Sequence, residues 1–135
     1  MAVPSVRFRL DFGVDEAVGP GKIALLEQIG RGGSLSQAAR DLKMSYRRAW
    51  QLLDSVNGAF PEPVVLTQKG GRGGGGATLT PFGCALIESY RAFDVQVQAL
   101  AGEAFAPLVA KTRGLGARRP PRKRSPVPVR RLSQR

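Results

Sequence analysis

A mainly α fold with a small β wing is what the sequence predicts, and three observations carry it. Apolar residues recur at three- to four-residue spacing through 23–29, 38–42 and 49–56. Two short β segments, 64–67 and 77–80, flank the glycine-rich stretch GGRGGGG at 70–76. Thr80-Pro81 then opens a long apolar helix whose Leu86, Tyr90, Phe93, Val97, Leu100 and Ala104 step by 4, 3, 4, 3 and 4.

Taken in order, Val6, Phe8, Leu10 and Phe12 alternate with Arg7, Arg9 and Asp11, the period of a half-buried strand. After Gly-Pro-Gly at 19–21, Ile23, Leu25, Leu26 and Ile29 fit a short helix ending within Gly30–Gly33. SLSQAARDL follows. Ser34 and Gln37 have the spacing of a capping box, and Ala38, Ala39 and Leu42 form the inward side of a two-turn helix. Lys43-Met44 leaves room only for a tight turn. Ser45 caps the next helix, whose inward side is Ala49, Leu52, Leu53 and Val56 and which Pro61 and Pro63 stop. The hairpin comes next, and then the long helix, with a capping threonine and proline at the first helical position.

Composition narrows the chemistry. A length of 135 residues suits one domain with a tail, and 42% hydrophobic residues suffice for a modest core. One cysteine and no histidine exclude a disulfide framework, a Cys/His zinc cluster and a His-based catalytic relay. Acidic residues are scattered singly, so an enzyme is not expected. No apolar run is long enough for a membrane span, and the start MAVPSVRFRLDFG is charged where a signal peptide needs an apolar core. A cytoplasmic protein without membrane partners is expected. Of the net charge of +11, residues 1–110 carry +1 and 111–135 carry +10. The expected domain is 1–110, with a long helix over about 81–106, followed by a basic, Pro/Arg-rich disordered tail over 111–135.

Two helices joined by a tight turn, then a hairpin and a long helix, describe a winged helix-turn-helix. The run GGSLSQAARDLKMSYRRAWQLLDSVN, then P-x-V-V, then GGRGGGGATLTPFG, resembles the DNA-binding domain of ModE-type molybdate-responsive transcription regulators, over roughly 5–105. The resemblance implies a winged-helix domain that dimerises through its long helix and binds operator DNA. Lys43 stands where that family usually has glycine. Full-length members also carry a pair of small β domains that bind molybdate. Only a Pro/Arg tail follows Phe105 here, so no cofactor and no direct molybdate binding are expected of this chain.

The candidate DNA-contacting residues are Ser34, Ser36, Gln37, Ser45, Tyr46, Arg47, Arg48 and Gln51, with Lys69 and Arg72 in the wing. The arginines could hold phosphates or pair with guanine, and sequence does not choose between these. Tyr46 is read either as a contact to base or phosphate or as a ring packed on the first turn. Trp50 is read as structural, and Cys84 as a small buried apolar residue. GGRGGGG lacks the Lys-Ser/Thr of a nucleotide-hydrolase loop and reads as a wing tip whose backbone approaches phosphates. The tail is expected to add sequence-independent DNA affinity, against the alternatives of an RNA or acidic partner or a merely solvated segment. Leu86, Tyr90, Phe93, Val97 and Leu100 are the candidate dimerisation residues. The expected partners are therefore double-stranded DNA and a second copy of the chain. The rival readings are an architectural, weakly specific DNA-binding protein and a protein-interaction module.

Overall fold

Four of the sequence's own helix signals decide where the chain turns. The fold is that of a computed structural model, which describes residues 4–13, 16–68 and 76–111. Strands β1 (Leu10–Gly13) and β2 (Glu16–Val18) precede helices α1 (Pro20–Gly32), α2 (Leu35–Asp41) and α3 (Tyr46–Gly58). Strands β3 (Val65–Thr67) and β4 (Ala77–Leu79) and helices α4 (Pro81–Ala104) and α5 (Ala106–Val109) complete the order. The described residues are thus mostly helical, with two small antiparallel β pairs.

Pro20 opens α1, and Gly33 closes it at φ 72°, where the Gly33 N–H donates to Ile29 O. Ser34, Ser45 and Thr80 cap α2, α3 and α4, each side-chain oxygen accepting from the backbone N–H three residues on. The capping box forms by half. Ser34 Oγ accepts from Gln37 N at 3.0 Å, but the Gln37 amide donates to Asp41 (2.9 Å) and accepts from Arg40 (2.7 Å). Charged partners one turn ahead outcompete the Ser34 N–H.

The opening strand is the main correction. Residues 4–9 run extended without a ladder, although Val6, Phe8 and Leu10 are partly buried and Arg7 and Arg9 exposed, as the alternation predicted. The ladder begins at Leu10, paired with Val18, in a hairpin with β2 that the alternation did not announce. A register shift between Asp11 and Gly13 breaks the period, leaving Phe12 exposed at the edge of the Phe60 ring. The extended segment is held on α4 instead. Gln98 accepts from Val6 N and donates to Val6 O, both at 2.9 Å, and Tyr90 Oη donates to Phe8 O.

The core is made by Ile23, Leu25, Leu26 and Ile29 of α1 against Ala38, Ala39, Ala49, Leu53 and Val56 of α2 and α3. Val18, Val64, Val65, Ala77, Leu86 and Tyr90 close it. At the base of the β3–β4 pair, α4 comes close. A Cβ at Gly83 would collide with the Val64 carbonyl oxygen, so only glycine fits there. Cys84, expected to be buried, is exposed. Gly83 and Leu86 take the inward positions of that turn, and residue 84 is rotated away from them. Helix α4 stops at Ala104, short of the expected 106. Pro107 has no N–H to offer the Glu103 carbonyl, and the chain restarts as the short α5. The proposed tail lies outside the described residues, except for Lys111.

Candidate nucleic-acid interface

Helices α2 and α3 meet through small residues. Ala38, Ala39 and Ala49 are essentially inaccessible, which lets the two backbones cross closely. The link between them runs from the C-cap Leu42 to the N-cap Ser45, with Lys43 and Met44 between the two caps. Lys43 sits at φ 58°, the sole non-glycine with positive φ among the described residues. Lys43 N and Met44 N donate back to Arg40 O and Ala39 O, both at 3.0 Å. These bonds hold the turn and offset a left-handed conformation that costs about 1–2 kcal/mol for a residue with a side chain.

Helix α3 is fastened on two flanks. On one, Asn57 accepts from Val64 N (2.8 Å) and Val65 N (3.2 Å) and donates to Val65 O (3.2 Å), joining the helix end to the start of β3. On the other, Lys22 Nζ donates to Ser55 Oγ and Ala17 O at 2.6 Å, and Ser55 Oγ donates to Glu16 at 3.3 Å. Burial pulls the Lys22 ammonium below the usual lysine range. Glu16 opposes this, while the positive charges of Arg48 and Arg9 add to it. Arg48 therefore stands on the flank of α3 that looks toward α1. The Lys22–Ser55–Glu16 chain was not legible in the sequence, because Ser55 lies 33 residues from Lys22 and 39 from Glu16. Asn57 reaches only seven and eight residues on, but across a turn whose path local pattern does not give.

With Ala49, Leu53 and Val56 turned inward, helical geometry leaves Arg47, Gln51 and Asp54 at the centre of the outer face. Ser45, Tyr46, Arg47, Arg48 and Gln51 are all exposed, so five of the expected contact residues lie together at the front of α3. Among the described residues, the guanidinium groups of Arg47 and Arg48 have no acidic partner; the ion pairs are Arg9–Asp11, Arg91–Glu27 and Arg91–Asp94. Ser34 and Ser36 are half-buried at the start of α2, their hydroxyls 3.4 Å apart, and Gln37 is exposed but engaged with Asp41 and Arg40. A capping hydroxyl uses a lone pair, so the Ser45 O–H group remains free to donate, while the Ser34 hydroxyl also meets that of Ser36. Trp50, read as structural, is 39% exposed on a flank of α3, its ring against that of Tyr46.

The β3–β4 pair has the register Val65↔Leu79, Leu66↔Thr78 and Thr67↔Ala77, extended by a bond from Gln68 N to Gly76 O. Ala77 N donates to Gly33 O at 3.0 Å, which ties the hairpin base to the turn before α2. Lys69 and Arg72, the expected wing residues, lie outside the described residues. A separate cavity of about 400 Å³ opens between the N-terminal segment and α4. Its Tyr90, Arg91 and Gln98 are already engaged by Phe8 O, by Glu27 and Asp94, and by Val6. Among the described residues, no three acidic or cysteine side chains gather as a metal site, and no helix is long and apolar enough to cross a membrane.

No protein-family model matches the chain. Curated relatives do. The chain is 41% identical over 92 residues to "Molybdenum transport protein ModE" of Azotobacter vinelandii, covering 68% of this chain and 34% of that protein. It is 45% identical over 83 residues to "Molybdenum-pterin-binding protein MopB" of Rhodobacter capsulatus, covering 62% and 31%. To "DNA-binding transcriptional dual regulator ModE" of Escherichia coli it is 40% identical over 84 residues, covering 56% and 32%. The chain is ModE-like over the aligned segment, and it spans about a third of the length of these relatives. None of the three names denotes an enzyme.

Proposed function

We propose that this chain binds duplex DNA as a transcription regulator. In this reading α2 and α3 are a helix-turn-helix, β3–β4 with the 69–75 stretch is its wing, and α4 is a dimerisation helix. The observation that carries the proposal is the outer face of α3. Two arginines without acidic partners among the described residues stand beside Gln51 on a helix anchored at both flanks. Such a helix is held rigidly by its own fold, yet keeps its long polar side chains unsatisfied, as major-groove recognition requires. The relative named as a DNA-binding transcriptional regulator supports the same reading.

Arg47, at the centre of the face, is assigned to base edges, and Arg48, on the α1 flank, to phosphate. The Ser34, Ser36 and Ser45 hydroxyls and Lys69 and Arg72 are assigned to backbone contacts that set register. Gln37, held by Asp41 and Arg40, acts by shaping the front of α2 unless those bonds break on binding. An architectural, weakly specific role is not favoured, since the relatives include proteins named as transcriptional regulators and none of those compared is named as a DNA-packaging protein.

Fluorescence anisotropy with a duplex selected from a random pool tests the reading. Arg47→Ala is expected to weaken the selected duplex by a free energy of about 1–3 kcal/mol and to spare random duplex. Arg48→Ala is expected to weaken both about equally. If both variants bind like the parent, α3 is not the reading helix.

A further inference from the structure

One flank of α3 carries two large aromatic rings that stand outside the hydrophobic core. Tyr46 is 48% exposed and Trp50 is 39% exposed, while the inward positions of the same helix are filled by Ala49, Leu53 and Val56. The two rings, one turn apart, meet edge to face with centroids 6.5 Å apart and planes at 81°. That contact holds each ring in place without burying it. Among the described residues neither the Tyr46 hydroxyl nor the indole N–H has a hydrogen-bond partner. A pair of rigid, exposed aromatics with free polar tips is the composition of a binding surface, since aromatic rings add apolar area at little cost in side-chain entropy.

Position identifies the partner. Residues 46, 50 and 57 share one flank of the helix, and Asn57 on that flank bonds the start of β3. The aromatic pair therefore lies between the Arg47–Gln51 face and the hairpin side, while Arg48 shares the opposite flank with Ser55, which bonds Lys22. Helix α3 thus presents a cationic flank, a polar centre and an apolar flank. A partner matching that sequence of chemistries offers phosphate on one side, hydrogen-bonding edges in the middle and an apolar group on the other. Duplex DNA does so in its major groove, where thymine displays a C5-methyl group.

We infer that Trp50, positioned by Tyr46, is a specificity-determining residue that packs against the methyl group of a thymine in the bound duplex. The inference rests on the reading of α3 as the recognition helix. It assigns the apolar part of readout to a residue whose sequence context suggested only packing.

Trp50 is the sole tryptophan, so its fluorescence reports on this one position. With the full chain and a duplex selected from a random pool, binding is expected to shield Trp50 from acrylamide. Replacing thymine by uracil at one position of one half-site is expected to weaken the parent about fourfold, the worth of burying one methyl group. Trp50→Ala should lose that discrimination while keeping its thermal midpoint and its preference at guanine positions. Tyr46→Ala should reduce the discrimination without abolishing it.

If thymine and uracil duplexes bind the parent alike, or Trp50→Ala discriminates as well as the parent, or acrylamide still reaches Trp50 in the complex, the inference is overturned and the recognition helix stands. If no duplex is enriched from the pool, the reading of α3 falls, and this inference with it.

Discussion

Lys43 shows how one residue is held against its own preference. A lysine at φ 58° stands between the α2 C-cap Leu42 and the α3 N-cap Ser45, in a turn closed by bonds from Lys43 N to Arg40 O and Met44 N to Ala39 O. Lys43→Gly should remove a left-handed penalty of about 1–2 kcal/mol and add back roughly 0.5–1 kcal/mol of unfolded-state entropy. A net stabilisation of about 0.5–1 kcal/mol is expected, read as a higher urea midpoint at unchanged slope; a lower midpoint would mean that the Lys43 side chain contributes something the backbone does not explain. Glu27 is a second case. Arg91 donates to its carboxylate through Nε (2.8 Å) and Nη2 (2.7 Å), which holds Glu27 below its ordinary range despite partial burial. A depressed folded-state pKa stabilises above the unfolded value and is lost as pH falls through the folded one. The stability gap between parent and Glu27→Gln should therefore be present at neutral pH and close in acid. With Arg91 half-exposed, that gap is held to less than about 1 kcal/mol. A gap that widens in acid would contradict this assignment.

Among the elements, α4 divides its expected seam in two. Leu86 and Tyr90, counted among the dimerisation residues, belong to the chain's own core: Leu86 joins the main cluster, and Tyr90 stacks on Phe8 at 4.8 Å. Toward the C-terminus, Phe93 is 42% and Leu100 64% exposed, with Val97 half-buried beside them. If these three form the proposed dimer seam, Leu100→Glu should shift the chain toward monomer in light scattering while leaving its helical signal unchanged. It should also cost operator affinity, because two recognition helices about 34 Å apart must bind together. A parent that scatters as a monomer at micromolar concentration removes the dimer from the proposal.

For the whole molecule, charge is concentrated at one end of the sequence. Ten of the 21 basic residues lie at 111–135, where no acid balances them. Deleting 111–135 should weaken selected and random duplex by similar factors and flatten the slope of log K against log salt. Every phosphate that the shortened chain no longer neutralises lowers that slope by about 0.9. Loss of sequence preference at unchanged total affinity would mean that the tail reads bases. The relatives' names include molybdenum, but among the described residues the cationic side chains are exposed and dispersed or, like Arg91, already paired. Calorimetry of this chain with molybdate is therefore expected to give only heat of dilution. A saturable micromolar site would place an effector on the chain itself.

Features that depend on neighbours within a turn or two were legible in the amino-acid order alone. Ser34, Ser45 and Thr80 cap where expected, since a cap needs only its own side chain and an N–H three residues on. The periods of α1 to α4 and the β3–β4 pair follow from the same short-range pattern. The roles assigned to Arg47, Arg48 and the wing remain proposals, because a side chain that reaches outward leaves no mark on the fold. Other features exist only once distant segments have met. The β1–β2 hairpin depends on a register shift, the Lys22–Ser55–Glu16 chain on residues from three elements, and the fates of Leu86, Tyr90 and Cys84 on which side of α4 the core happens to cover. Trp50 belongs here too. Periodicity put it at the border of the buried stripe, and its ring is left partly exposed there. Burial is a property of what arrives from far along the chain, which local pattern does not encode.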